Sequence, residues 1–89
     1  MAEENIIYVG KKPVMNYVLA IVTRFNNNND HITIKARGKA ISKAVDIAEI
    51  TKHKFIKEVK YSKINLSTEV VQGERGESNV SSIEIILSR

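Results

Sequence analysis

The sequence predicts a two-layer α+β sandwich, in which two helices cover one face of a mixed four-stranded sheet in the order β-α-β-α-β-β. Three observations predict it. Apolar residues recur at helical spacing in two stretches, each following a short strand-like run that ends at a glycine. The last third of the chain holds two strand patterns joined by a polar stretch with two glycines. The length of 89 residues suits one domain, residues 1–89, around one modest core.

Ile6-Ile7-Tyr8-Val9 forms a continuous apolar strand that ends at Gly10. Pro13 suits the first turn of a helix, where a missing N–H leaves no bond unmade. Behind it Val14, Tyr17, Val18, Ile21, Val22 and Phe25 recur at helical spacing, and Met15 and Leu19 widen the apolar face enough to serve a sheet and a second subunit. Asn26 to Asn29 with Asp30 terminate this helix, because these side chains favour turns. Ile32, Ile34 and Ala36 alternate with Thr33, Lys35 and Arg37, the pattern of a strand with one wet face. Gly38 turns the chain into a second helix running to about His53, with Ile41, Ala44, Val45 and Ala48 inward. In the third strand Val59 and Tyr61 have one parity, whereas Ile64, Leu66, Thr68 and Val70 have the other. A face cannot change parity without a bulge or break, which falls near Ser62-Lys63. Ile83, Ile85 and Leu87 mark the fourth strand, and Gln72 to Ser78 reads as the hairpin loop before it.

The formal net charge is +4, from 14 basic and 10 acidic residues. Its distribution says more than its size. Glu3 and Glu4 open the chain; then Lys11, Lys12, Arg24, Lys35, Arg37, Lys39 and Lys43 arrive with only Asp30 among them. A fold that gathers them on one face attracts polyanions. The absence of cysteine excludes disulfides and thiolate metal sites. The acidic start lacks the pattern of a secretory signal, and no apolar run reaches membrane-spanning length, so a soluble intracellular protein is expected.

Enzyme signatures are weak, and no cofactor is expected. His31 and His53 fall in different elements, and neither has a spaced cluster of metal ligands. His31 beside Asp30 reads as a strand cap, and His53 in Lys52-His53-Lys54 as a solvated helix end. Asp46 and Glu49 read as surface carboxylates balancing Lys43 or Lys52. Gly10-Lys11-Lys12 lacks the glycine run and the Ser/Thr of a nucleotide loop. It serves better as a phosphate contact, because the unpaired amides and dipole of the following helix add to two mobile ammonium groups. Arg37-Gly38-Lys39 is a second such junction, and parallel strands would bring both to one end of the sheet. Lys35 and Lys43 extend this patch, unless Lys43 is simply solvated. Arg75, between two glycines, is suited to a narrow minor groove, although Glu74 and Glu77 repel phosphate. The aromatic residues Tyr8, Tyr17, Phe25, Phe55 and Tyr61 fall mostly on buried patterns. Binding through phosphates and shape is therefore expected rather than base stacking.

The stretches Val9-Gly10-Lys11-Lys12-Pro13-Val14-Met15-Asn16-Tyr17-Val18 and Ile34-Lys35-Ala36-Arg37-Gly38-Lys39-Ala40-Ile41-Ser42-Lys43-Ala44-Val45-Asp46 closely resemble the Alba family of archaeal chromatin proteins. The resemblance covers nearly the whole chain. It implies a fold like the C-terminal domain of bacterial translation initiation factor three, and dimers that bind, compact or bridge double-stranded DNA. It also implies RNA binding in many members. Lys11 and Lys12 match the family's central DNA-contacting pair. Lys11 matches a lysine acetylated in some members, which implies an acetyltransferase and a deacetylase as partners; acetylation removes a phosphate-pairing charge. Arg37 matches a basic residue of the DNA-binding body, and Arg75 falls in the hairpin assigned to the minor groove. Phe55 resembles the aromatic that packs one dimer on the next, with burial behind the helix as the other reading. The short acidic start and the Glu74 and Glu77 pair depart from the family pattern.

The leading expectation is a homodimer, or a heterodimer with a paralogue, associated with the chromosome in the cytoplasm. The alternative is an RNA chaperone or a subunit of an RNA-processing particle. A small enzyme or protein-binding module is a third class, supported by nothing beyond size and unassigned side chains.

Overall fold

The computed structural model describes residues 5–89. Glu3 and Glu4, noted in the sequence, lie outside the described residues. The strands are β1 (Ile6–Tyr8), β2 (His31–Arg37), β3 (Lys60–Gly73) and β4 (Gly76–Ser88). The helices are α1 (Val14–Asn26) and α2 (Ile41–Ile50). The sheet order is β1-β2-β4-β3, with β1 and β2 parallel and the other pairs antiparallel. This is the mixed four-stranded arrangement that the apolar patterns predict.

Pro13 stands just before α1 rather than within it, and Asn16 N–H donates to its carbonyl at 3.0 Å. Val18, Ile21 and Phe25 form the buried stripe of α1. Its end is closed by the asparagine run: Asn28 adopts φ 71°, and Asn29 Nδ2 donates to the Arg24 carbonyl at 2.8 Å. A short polar side chain tolerates that left-handed backbone and satisfies a carbonyl left open at the helix end. On the sheet, Ile32, Ile34, Ile83, Ile85 and Leu87 face the helices and complete the core. Replacing Phe25 by Ala would cost about 3–5 kcal/mol, as large cavities in cores do.

The second helix differs from its sequence reading at both ends. A 3-10 turn at Gly38–Ala40 precedes α2, and a π turn at Thr51–Phe55 follows it. In the π turn Ile56 N–H reaches back to the Thr51 carbonyl at 2.8 Å, and Thr51 Oγ1 donates to the Ile47 carbonyl at 2.8 Å. The widened turn buries Ile56 and leaves Phe55 outside. Ala44, Ile47 and Ala48 are the buried residues of α2, while Val45, expected inward, is exposed. The parity break in β3 lies between Tyr61 and Lys63, where a bulge was expected. Beyond it Ile64 and Leu66 pair with Ile85 and Ile83, on the helix side of the sheet, yet both are exposed because β3 is the edge strand.

The hairpin is tighter than its sequence suggests. Gly73 pairs with Gly76, so Glu74 and Arg75 alone form the turn in place of a loop from Gln72 to Ser78. Gly76 has φ 102°, a backbone that favours glycine.

Candidate nucleic-acid interface

Parallel pairing of β1 with β2 brings the two strand-to-helix junctions to one end of the sheet. The first junction is held by four hydrogen bonds. The amides of Gly10 and Lys12 donate to Tyr17 Oη at 2.8 and 3.2 Å. Lys43 Nζ, reaching across from α2, donates to the carbonyls of Gly10 and Lys12, both at 3.0 Å. The loop is thus clamped between both helices, and the side chains of Lys11 and Lys12 stand exposed, unpaired among the described residues. Lys43 belongs to the same cluster, but its ammonium already serves backbone carbonyls. This engaged position is neither the simply solvated lysine nor the open phosphate contact that the sequence allowed.

At the second junction Gly38 has φ 58°, where glycine is favoured, and a Cβ there would come 3.6 Å from Val80 Cγ1. The start of α2 is thereby set against the base of the hairpin. Lys39 is exposed on the 3-10 turn. Arg37 Nη1 lies 3.9 Å from Glu69 Oε1, and Lys35 Nζ lies 3.5 Å from Glu84 Oε2. A hydrogen bond from Asn65, at 2.8 Å, and then Lys35 hold the Glu84 carboxyl below its ordinary value. Such exposed pairs contribute little and exchange partners readily.

The hairpin leaves from this same end. The β2–β4 pairing stops at Arg37 and Ser82, whereas β3–β4 pairing continues from Thr68 and Ser81 to Gly73 and Gly76. At a rise of ~3.4 Å per residue the free arm is roughly 20 Å long, and it fits a molecule measuring 44 × 24 × 19 Å. Arg75 sits exposed at its tip. Gln72 Nε2 donates to Glu77 Oε2 across the strands at 2.9 Å.

Lys11, Lys12, Lys39, Lys43, Arg37 and the arm bearing Arg75 therefore gather around one end, with Lys35 further down the sheet. Phe55 is not among them. It stands at the far end of α2, roughly 20 Å along the helix axis, and is 43% exposed. That exposure overturns its reading as a core residue. Tyr8 is the second aromatic misplaced by the sequence pattern, being 70% exposed on the sheet face away from the helices. In a run of four apolar residues, a period of two puts alternate side chains on opposite faces; that signal was present. Tyr17 as a clamp for two amides had no sequence signal.

The histidines are local. His31 Nδ1 lies 2.8 Å from Asp30 Oδ1, and that hydrogen bond, with the neighbouring His31 charge, lowers the Asp30 carboxyl. His53 Nε2 lies 3.2 Å from Glu49. Among the described residues no group of three or more His, Cys, Asp or Glu could hold a metal ion, and no helix is long and apolar enough to cross a membrane.

Comparison with known proteins identifies the fold and the family. The Alba family model matches residues 5–68. A protein of Thermoplasma volcanium named DNA/RNA-binding protein Alba is 75% identical over 89 residues, with both chains covered in full. One of Picrophilus torridus with the same name is 76% identical over 90 aligned positions, again with full coverage of both. The solved structure of Alba from Thermoplasma volcanium matches with a TM-score of 0.93 at 74% identity, covering 96% of this chain and 100% of that one. An Alba protein of Trypanosoma brucei shares the fold at a TM-score of 0.82 and 24% identity, covering 97% of this chain and 69% of that one. With the family model spanning most of its length and relatives alike from end to end, the chain belongs to the Alba family.

Proposed function

We propose that the protein binds nucleic acid, and specifically that it is a dimeric chromatin-architectural protein that coats, compacts or bridges double-stranded DNA with little sequence preference. The observation that carries this reading is the gathering of Lys11, Lys12, Arg37, Lys39 and the Arg75 arm at one end of the sheet. Relatives named as DNA/RNA-binding proteins support the broader nucleic-acid reading. The exposed lysines meet phosphates, the N-terminal end of α1 adds positive potential, and the arm reaches along a groove. These contacts carry charge and shape rather than base-edge chemistry.

A second copy fits the apolar side chains left uncovered beside α2: Ile64, Leu66 and Val70 of β3 with Val45. Two-fold pairing, with itself or with a paralogue, would set two basic ends side by side. Phe55, exposed and apolar, suits contact between neighbouring dimers. Lys11, exposed and unpaired, is accessible to an acetyltransferase and a deacetylase, and its acetylation would weaken phosphate contact. The working site is the chromosome within the cytoplasm. RNA as the dominant ligand is the second reading, favoured by the relatives' names and by the ability of the same surface to follow A-form helices.

Titration of a DNA duplex at several salt concentrations tests the proposal. Affinity should fall steeply with salt, and Lys11→Ala with Lys12→Ala should weaken binding almost equally across sequences. A salt-independent affinity would remove the electrostatic mechanism. Matched duplex RNA in competition decides between the two ligands.

A further inference from the structure

The face of the sheet opposite the helices carries groups that the basic end leaves unused. Cross-strand pairing sets Tyr8, Lys35, Glu84 and Asn65 in one row and Arg37, Ser82 and Ser67 in the next. The alternate rows hold core residues such as Ile34 and Ile85, so these two rows point away from the helices. They line a concavity of about 780 Å³, large enough for a base-sized ligand. The Tyr8 ring is 70% exposed on its rim, and its hydroxyl has no partner among the described residues.

We propose that this open face, centred on Tyr8, binds unpaired RNA, with a base stacked on the Tyr8 ring and hydroxyl and amino donors accepted by Glu84 and Glu69. It rests on the nucleic-acid reading above, but uses another surface and another form of the ligand. Every base has a π face, so an exposed ring on a sheet offers a contact that tolerates any sequence. A duplex gains nothing from it, because its bases are already stacked on one another. Carboxylates only accept hydrogen bonds and repel phosphate, so Glu84 and Glu69 keep the backbone off the floor of the concavity. They match exocyclic amines and the 2′-hydroxyl, the group by which a protein distinguishes RNA from DNA. Asn65 and the hydrogen-bonded Ser67–Ser82 pair, 2.6 Å apart, add further polar contacts. Arg37 belongs both to this concavity and to the basic end. A strand leaving the Tyr8 ring therefore runs on to Arg37 and Lys39 without crossing an acidic gap. The loose Lys35–Glu84 and Arg37–Glu69 pairs free their cations for phosphate when RNA arrives.

The test uses the full chain and three labelled probes read by fluorescence anisotropy: a short oligocytidylate RNA, whose bases carry an exocyclic amine, the matching single-stranded DNA, and a DNA duplex. Tyr8→Ala should weaken RNA binding about tenfold and duplex binding by less than about twofold, while Tyr8→Phe, which keeps the ring face, should bind RNA like the unchanged protein. Thermal unfolding of the variants checks that the sheet is intact. Unchanged RNA affinity in Tyr8→Ala, or an equal loss on the duplex, would overturn the stacking site. Single-stranded DNA bound as tightly as RNA would overturn the assignment to RNA. If the unchanged protein bound none of the three probes, the broader nucleic-acid reading would fall, and this proposal with it.

Discussion

The ammonium of Lys43 donates to the carbonyl oxygen of Lys12 at 3.0 Å, tying the second helix to the loop that presents the two exposed lysines. A matching bond reaches Gly10, and Tyr17 Oη accepts both amides of the same segment. Lys43 therefore positions Lys11 and Lys12 rather than duplicating them. Lys43→Met keeps most of the apolar stem and removes the donor. Duplex affinity should fall about three- to tenfold, the range of one or two lost hydrogen bonds. The slope of log affinity against log salt should stay near that of the unchanged protein. Lys11→Ala should lower that slope by about 0.9, the value of one phosphate contact. Anisotropy titrations across salt separate the two, and an equal slope change in Lys43→Met would make it a direct phosphate ligand.

Arg75 is carried at the tip of a two-residue turn, and Glu77 beyond it accepts a hydrogen bond from Gln72. A cation on such an arm senses groove width, because a narrow minor groove concentrates negative potential. Arg75→Ala should weaken binding to an A-tract duplex about fivefold and to a G·C-rich duplex much less, roughly the discrimination expected of a groove-inserted arginine. Paired titrations of the two duplexes measure it. Equal losses on both would assign Arg75 to the phosphate backbone.

The helices and strands were legible because their apolar spacing reflects which side chains meet the core. Val18, Ile21 and Phe25 on α1, and Ile32, Ile34 and Ala36 on β2, are buried where their periods place them. The switch of parity in β3 was equally visible, since it is a property of the pattern itself. Composition and junction glycines also located the basic end. What escaped is three-dimensional. A lysine that crosses between elements looks the same in sequence as one facing water, so the clamp by Lys43 could not be read. An edge strand looks the same as a covered one, so the exposure of Ile64 and Leu66 was hidden. A helix that widens at its last turn moves Phe55 outward, although its spacing reads as core.

Leu66 is 76% exposed and Ile64 53%, on the side of the sheet that elsewhere packs on helices. Large apolar patches on that side call for cover. With a second copy proposed to cover this patch, the unchanged protein should sediment at equilibrium as a dimer and Leu66→Lys as a monomer, with the helical circular dichroism unchanged. Duplex binding should weaken too, because the two basic ends no longer act together. A dimeric mass in Leu66→Lys would place the pairing on another face, and a monomeric mass in the unchanged protein would remove the proposed dimer.

Tyr61 donates its phenol hydrogen to Glu49, which also receives His53 at 3.2 Å, so the bulged start of β3 is braced against the end of α2. The hydrogen bond from Tyr61, then the charge of His53, holds the Glu49 carboxyl below its ordinary 4.5. Burial, then the Glu49 hydrogen bond and charge, push the Tyr61 hydroxyl above its ordinary 10.0. The signs follow from linkage. A lowered carboxyl stabilises the fold above pH 4.5, and that contribution is lost as pH falls through its folded value. A raised phenol leaves the unfolded chain releasing its proton first, so stability declines as pH climbs past 10.0. Tyr61→Phe removes the alkaline loss and weakens the acid one. The difference in melting temperature between the unchanged protein and Tyr61→Phe should therefore be widest between about pH 5 and 9, and should narrow on both sides. Thermal melts followed by circular dichroism across that range provide the check. A difference that stays constant with pH would mean that the hydroxyl acts through packing alone, with no share in the Glu49 and His53 brace.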